Sequence, residues 1–279
     1  MKYIKSGLVV FFAMLVVFLL QKGYFQENRS NNTDANHISG IAEKDCVAEI
    51  NSLTSADEAT YLGDEYFGGG RQYDLECAET AYYKAIEIVE QGNIRTWHQL
   101  GRIDFLRGDY YEAIQKFNNQ LKYHKEIMPN VHYMLGLTYG YKAKESRYRG
   151  DWEKAEEHFL RYIELDLTSW AARVDLSWLY FAQGKYEEMK PHLEIALENY
   201  PQNPWVLNMY GLAILNTEDR EEAHEYFLQA LEASGKLSIE DWGEAYPGND
   251  PASWSEGVQS MREYIQKNLE ITAVEGEIL

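Results

Sequence analysis

One helix-loop-helix pattern recurs about five times along this chain. Its second-helix anchors fall at Ala78, Ala113, Ala155, Met189 and Ala223, and the last three are spaced by 34 residues. A period between 20 and 50 residues is the mark of stacked supersecondary units, each of which buries its apolar face only against its neighbours. The 279 residues are 45% hydrophobic, enough for a substantial core, but much of that content is laid along the repeat and not gathered into one globule. Arrays of this kind are as a rule binding surfaces and not catalysts.

The formal charge of -19 argues against nucleic acid as a partner, because such binding draws on clustered Lys and Arg to release counterions. It also disfavours broad contact with anionic lipid, and its simplest role is to keep an apolar-rich array soluble. Cys46 and Cys77 are the two cysteines. With no CxxC and no dense framework around them, they read as buried or incidental thiols ahead of a single structural bridge.

At the N-terminus, Lys2 and Lys5 precede an uninterrupted apolar run from Gly7 to Leu20, closed by Gln21 and Lys22. That is the layout of an export signal. Fourteen residues at about 1.5 Å each reach about 21 Å, short of a hydrocarbon core of roughly 30 Å. No A-x-A-like cleavage site follows, however, and Tyr3, Tyr24 and Phe25 sit where interfacial aromatics would, so a signal anchor over residues 1–25 is preferred to a cleaved signal peptide. The expected topology is N-in, C-out, with secretion after cleavage as the alternative. Residues 26–45, rich in Asn, Ser, Asp and Gly, read as a flexible stem.

The clearest repeat runs from about Trp170 to Pro201, with Leu176, Tyr180, Gly184, Tyr186, Ala196 and Pro201 at fixed offsets. It resembles the tetratricopeptide repeat (TPR), whose pattern is W-x2-L-G-x2-Y in the first helix, small and aromatic residues in the second, and Pro near the end. Arg173, Ser177 and Met189 depart from that pattern. A second unit matches through Trp97, Leu100, Gly101, Gly108, Tyr110, Ala113 and Phe117, although Asp104 stands where the first-helix Tyr belongs. A third opens with Leu135, Gly136 and Tyr139 and closes with Gly150, Trp152, Ala155 and Phe159 after about seven extra residues, which either lengthen both helices by a turn or protrude as a loop. Weaker units start at Leu62 and Gly63, with about three extra residues around Gly68–Gly70, and at Gly211. Small residues at Gly63, Gly101, Gly136, Ser177 and Gly211 let two helix backbones approach closely, while Gly108, Gly150 and Gly184 permit the tight turns. The expected fold is all-α: a right-handed superhelical solenoid of about five TPR units over residues 46–235. Residues 236–279 then supply a linker broken at Tyr246-Pro247-Gly248-Asn249, a capping helix bearing Val258, Met261, Ile265 and Leu269, and a frayed acidic tail.

In TPR arrays the first helices line a concave groove. Carried onto this chain, the resemblance implies a protein- or peptide-binding groove of Arg95, His98, Arg102, Phe105, Tyr133, Tyr141, Trp178, Phe181, Trp205 and Asn208, with Leu137 and Leu212 on the same face. Such a groove suits an extended peptide with apolar side chains and a carboxylate. The bland alternative is that these aromatics are core and the arginines pair with local acids. Lys142, Lys144, Arg147 and Arg149 form the densest basic stretch, either a solvated hairpin face or a docking patch for an acidic partner.

No G-x-S-x-G, GK[ST], H-E-x-x-H or paired-Cys motif occurs, and the seven His residues are scattered. Neither an enzyme nor a cofactor is expected. The sequence points to a membrane-tethered adaptor or scaffold that binds protein or peptide partners, with a structural subunit of a multi-protein envelope assembly as the alternative.

Overall fold

The computed structural model describes residues 45–125, 128–217 and 219–273. The apolar run Gly7–Leu20, residues 26–44 of the stem and the final acidic residues lie outside them, so neither the anchor nor the frayed tail is described. Among the described residues no helix is long and apolar enough to cross a membrane.

The fold is all-α, and the chain divides into two compact units. The N-terminal unit comprises α1 (Asp45–Asn51), α2 (Ala56–Asp64), α3 (Leu75–Ile88), α4 (Thr96–Arg107), α5 (Tyr110–His124) and the start of α6 (Asn130–Ser146), together with the distant segment Tyr246–Ser253. The C-terminal unit holds the rest of α6, then α7 (Arg149–Leu165), α8 (Trp170–Ala182), α9 (Tyr186–Asn199), α10 (Pro204–Thr217), α11 (Arg220–Gly235), α12 (Ile239–Ala245) and α13 (Trp254–Thr272).

Local sequence sets the helix ends. Ser55, Asp74, Ser169 and Asp219 each accept a backbone N–H from the first turn of the helix they open, which satisfies donors that the helix itself cannot. Gly108 ends α4 in the left-handed conformation (φ +80°), and its N–H reaches back to the carbonyls of Asp104 and Phe105. The hairpin between α10 and α11 manages without a glycine because Asp219 caps α11 directly.

A single packing device recurs in the hairpins. A Cβ placed on Gly101 would lie 2.6 Å from the ring of Phe117; on Gly136, 2.8 Å from Phe159; on Gly211, 2.7 Å from Phe227; and on Gly63, 2.5 Å from Tyr82. Each first helix thus lays bare backbone against an aromatic ring of its partner, and all four rings are fully buried. In two of these hairpins, Gly101 with Phe117 and Gly211 with Phe227, the same sixteen-residue offset separates glycine and ring. Three further residues intervene between Gly63 and Tyr82, taken up by a π-helical turn at Glu65–Gly69, and seven further between Gly136 and Phe159. Those seven lengthen helices: α6 and α7 have 17 residues each, against 12 and 15 in α4 and α5. In the α8–α9 hairpin Ser177 replaces glycine, and sixteen residues on stands the smaller Leu193, also fully buried.

Two expectations need correction. Gly150 is not the turn between α6 and α7 but lies inside α7; the left-handed residue there is Arg147 (φ +56°). Cys46 and Cys77 are not thiols but a disulfide, with S–S 2.07 Å. They come together because α1 packs across α3, where Ile50, Leu62 and Ala81 complete a small apolar cluster with them; nothing in their spacing of 31 residues reveals that crossing.

In the C-terminal unit, α13 buries Val258, Met261, Ile265 and Leu269. Arg262 donates to the carbonyls of Ser234 and Leu237 at the end of α11, and Asn268 to the Asn208 amide oxygen on α10 at 2.9 Å. A Cβ placed on Gly257 would collide with the ring of Trp242 on α12, which also faces Trp205, whose ring faces Trp170 in turn.

Candidate functional site

The N-terminal unit gathers a polar network on the face of α4 that the resemblance assigned to a groove. Asp64, at the end of α2, accepts from the Tyr82 hydroxyl and from Gln99 Nε2, both at 2.8 Å, and lies 2.7 Å from Arg95. Gln99 turns its oxygen to Arg102, which donates at 2.7 Å. The other arm of the Arg102 guanidinium donates to the backbone carbonyl of Pro247, and its plane stands 4.8 Å over the Phe67 ring. Tyr73 donates to the next carbonyl, that of Gly248, at 2.9 Å. Arg102, named for the groove, is therefore engaged by a distant segment of its own chain. Burial and the Asp64 charge both push the Tyr82 phenol up, so it stays protonated and acts as a fixed donor.

The other groove candidates separate by burial. His98, Tyr141, Trp178 and Phe181 are core side chains, which corrects their reading as an open surface. His98 packs against Phe117, Trp178 against Tyr141, and Phe181 against Tyr186. Arg95 is exposed; Phe105, Tyr133, Trp205 and Asn208 are half-buried. Asn208 is engaged by the capping helix and Trp205 by its tryptophan neighbours. Leu212 is buried as well. Sequence reasoning missed Asp64, Phe67, Tyr73 and Gln99. Their one visible counterpart was Tyr246-Pro247-Gly248-Asn249, read only as a helix breaker.

The basic stretch is not four displayed cations. Lys142 lies 2.6 Å from Asp151, whose side chain is buried, so its charge neutralises an internal carboxylate. Arg149 pairs at the surface with Glu153 at 2.9 Å, an interaction of little energetic weight. Burial pulls the Lys144 ammonium down. Among the described residues no group of three or more His, Cys, Asp or Glu could hold a metal ion.

A tetratricopeptide repeat family model matches residues 171–203, the span of α8 and α9. The chain carries a tetratricopeptide repeat. Superkiller complex protein 3 of Mus musculus is 36% identical over 99 residues, which are 33% of this chain and 6% of that protein. Among solved structures, MamA superposes with a TM-score of 0.52 at 21% identity, covering 69% of this chain and 95% of its own. PilF of Pseudomonas aeruginosa gives 0.52 at 17% identity over 88% and 96%. PilW, described as a widely conserved type IV pilus biogenesis factor, gives 0.52 at 15% over 77% and 97%. Identities this low establish the TPR-solenoid fold and carry no function with them. None of these matches indicates a catalytic family.

Where the second of the strong repeats departs from the TPR pattern, a pH effect follows. Asp104 is buried in the tyrosine position, and burial pushes its carboxyl up to about 6, opposed by the charge of Lys116. An unfolded aspartate titrates near 3.9. Its folded pKa is raised, so the stability it contributes is complete below about pH 4 and is lost as pH rises through 6. On the same helix His98 has the opposite sign. Burial first, then the charge of Arg102, lower its pKa to about 3, so its contribution is complete above roughly pH 6.5 and is lost as pH falls toward 3. The two oppose each other between pH 4 and 6. Asp104→Asn is expected to raise the urea midpoint of the N-terminal unit at pH 7.5, with the gain shrinking toward pH 4. A midpoint unmoved at pH 7.5 would mean that the carboxylate is already compensated.

Proposed function

We propose that this chain is a membrane-tethered TPR interaction module, exported on its N-terminal segment, that holds partner proteins through the inner faces of its repeats. The observation that carries this reading is the pair of backbone carbonyls, Pro247 and Gly248, taken by Arg102 and Tyr73: the α4 face accepts polypeptide main chain. Arg95, Phe105 and Tyr133 extend the accessible part of that face within the same unit. The Cys46–Cys77 disulfide supports export, because such bridges persist in oxidising compartments and are rare where thiols are kept reduced. Stacked helical hairpins offer large contact surfaces, and aromatic and arginine side chains supply the anchors that such contacts use.

A second reading, a structural subunit of an envelope assembly, is favoured by the fact that the same face is already covered by the chain itself. Crosslinking in the native membrane followed by mass spectrometry separates the two. With full-length protein, and with Arg95→Glu/Phe105→Ala beside it, a module should yield a few partners that the double variant loses. Stoichiometric partners that persist in the variant would establish the assembly subunit, and no enriched protein at all would end the interaction reading.

A further inference from the structure

Tyr246–Asn249 is a β-turn. The Asn249 N–H reaches the Tyr246 carbonyl at 3.3 Å, proline occupies the second position, and Gly248 in the third has φ +89°. That is the residue order and glycine conformation of a type II turn. The turn lies with its two central carbonyls toward Tyr73 and Arg102 and with Gly248 against the Phe67 ring. A Cβ on Gly248 would collide with the Arg102 guanidinium and lie 3.2 Å from Phe67. The face therefore reads main-chain oxygens, and it discriminates through the one position where a side chain has neither room nor an allowed conformation.

None of the eight residues 246–253 is buried, and Pro247, Pro251 and Ala252 are exposed. The segment thus lies at the surface with no side chain fully in the core, which is the setting of a part that opens locally while the rest stays folded. We propose that the face formed by Phe67, Tyr73 and Arg102 is a receptor for a Pro-Gly β-turn on a partner protein, and that Tyr246–Asn249 is an intramolecular stand-in which that partner displaces. This rests on the reading of the chain as a protein-binding module, and it names the ligand and its control. A tethered competitor acts at an effective concentration of order millimolar, so the resting protein binds a free turn weakly, and releasing the segment should strengthen binding without creating any new contact.

The test uses the full-length chain in mild detergent and a fluorescent peptide of residues 244–253, followed by anisotropy, with a scrambled peptide as control. Gly248→Val, which strains the turn and fills its space, should bind the peptide at least tenfold more tightly than the unaltered chain. Adding Tyr73→Phe, which deletes one donor and keeps the ring, should remove most of that gain. A second release variant, with residues 246–249 replaced by a Gly-Ser-Gly-Ser linker, should behave like the first. Equal binding by released and unaltered chains, or a gain that survives Tyr73→Phe, would overturn the proposal. So would loss of helical circular dichroism in both release variants, which would make the segment structural, or a doubling of mass on release, which would make the occupant a second copy. If the peptide fails while crosslinked partners persist, the turn receptor falls and the interaction module stands; if both fail, the module reading falls too.

Discussion

Gly101→Leu is expected to destabilise the N-terminal unit by about 3 kcal/mol, at the upper end of what overpacking costs. Close approach of helices by itself predicts an overpacking penalty, but the structure shows why the cost sits high. The first atom of the new side chain would already be 2.6 Å from Phe117, a ring with no exposed surface that also faces His98. A fully buried ring has no direction in which to yield, so the helices must part. The check is a urea titration of the variant against the unaltered chain, with Phe117→Ala and the double variant beside them. Phe117→Ala alone should cost about 3 to 5 kcal/mol through its cavity. The double variant should cost clearly less than the two added together, because leucine then occupies the space the ring leaves. Strict additivity would mean that glycine and ring are not coupled. The α8–α9 hairpin makes the same point from nature's side: where Ser177 brings a Cβ, the equivalent partner is Leu193 and not an aromatic ring.

Loss of the disulfide is the second large effect. Cross-linking residues 31 apart removes chain entropy from the unfolded state worth roughly 3 to 4 kcal/mol in the loop-closure account. Cys46→Ala/Cys77→Ala is expected to lower the stability of the N-terminal unit by about that much, and reductant should do the same to the unaltered protein. Both sulfurs belong to residues with about 5% exposure or less, so reduction should be slow under native conditions and fast once urea opens α1. Urea midpoints with and without reductant decide the matter. An unaltered midpoint would mean that the mature protein carries two thiols, and the argument for an oxidising compartment would go with it.

Much of the fold was legible because its cause is local. The spacing of small residues and aromatics marked each hairpin, and the three and seven extra residues counted in the sequence are the ones that displace Tyr82 and Phe159 from the common offset. The periodic apolar positions of α13 likewise marked a helix with one buried face. The candidate site was less legible, for two physical reasons. A helix in the middle of a stack is covered on nearly every side, and α8 shows it: every residue from Ala172 to Phe181 is buried. Trp178 and Phe181 look like a binding stripe only if one side of that helix is assumed open, whereas this helix is covered so fully that even Arg173 and Asp175 are buried. The network that joins Asp64 and Pro247 to Gln99 and Arg102, by contrast, links separate elements that no periodicity relates. Arg102 and Pro247 are 145 positions apart. The disulfide escaped for the same reason, since only the crossing of α1 over α3 brings its sulfurs together.

That 145-residue separation also has a consequence in time. Ribosomes add roughly 5 to 20 residues per second, so the α4 face exists for about 7 to 30 s before the turn that covers it has been made. A nascent chain of this protein is thus, for a short while, an uncovered receptor, and any Pro-Gly turn nearby during that interval meets no competitor, because the chain's own turn has not yet been synthesised.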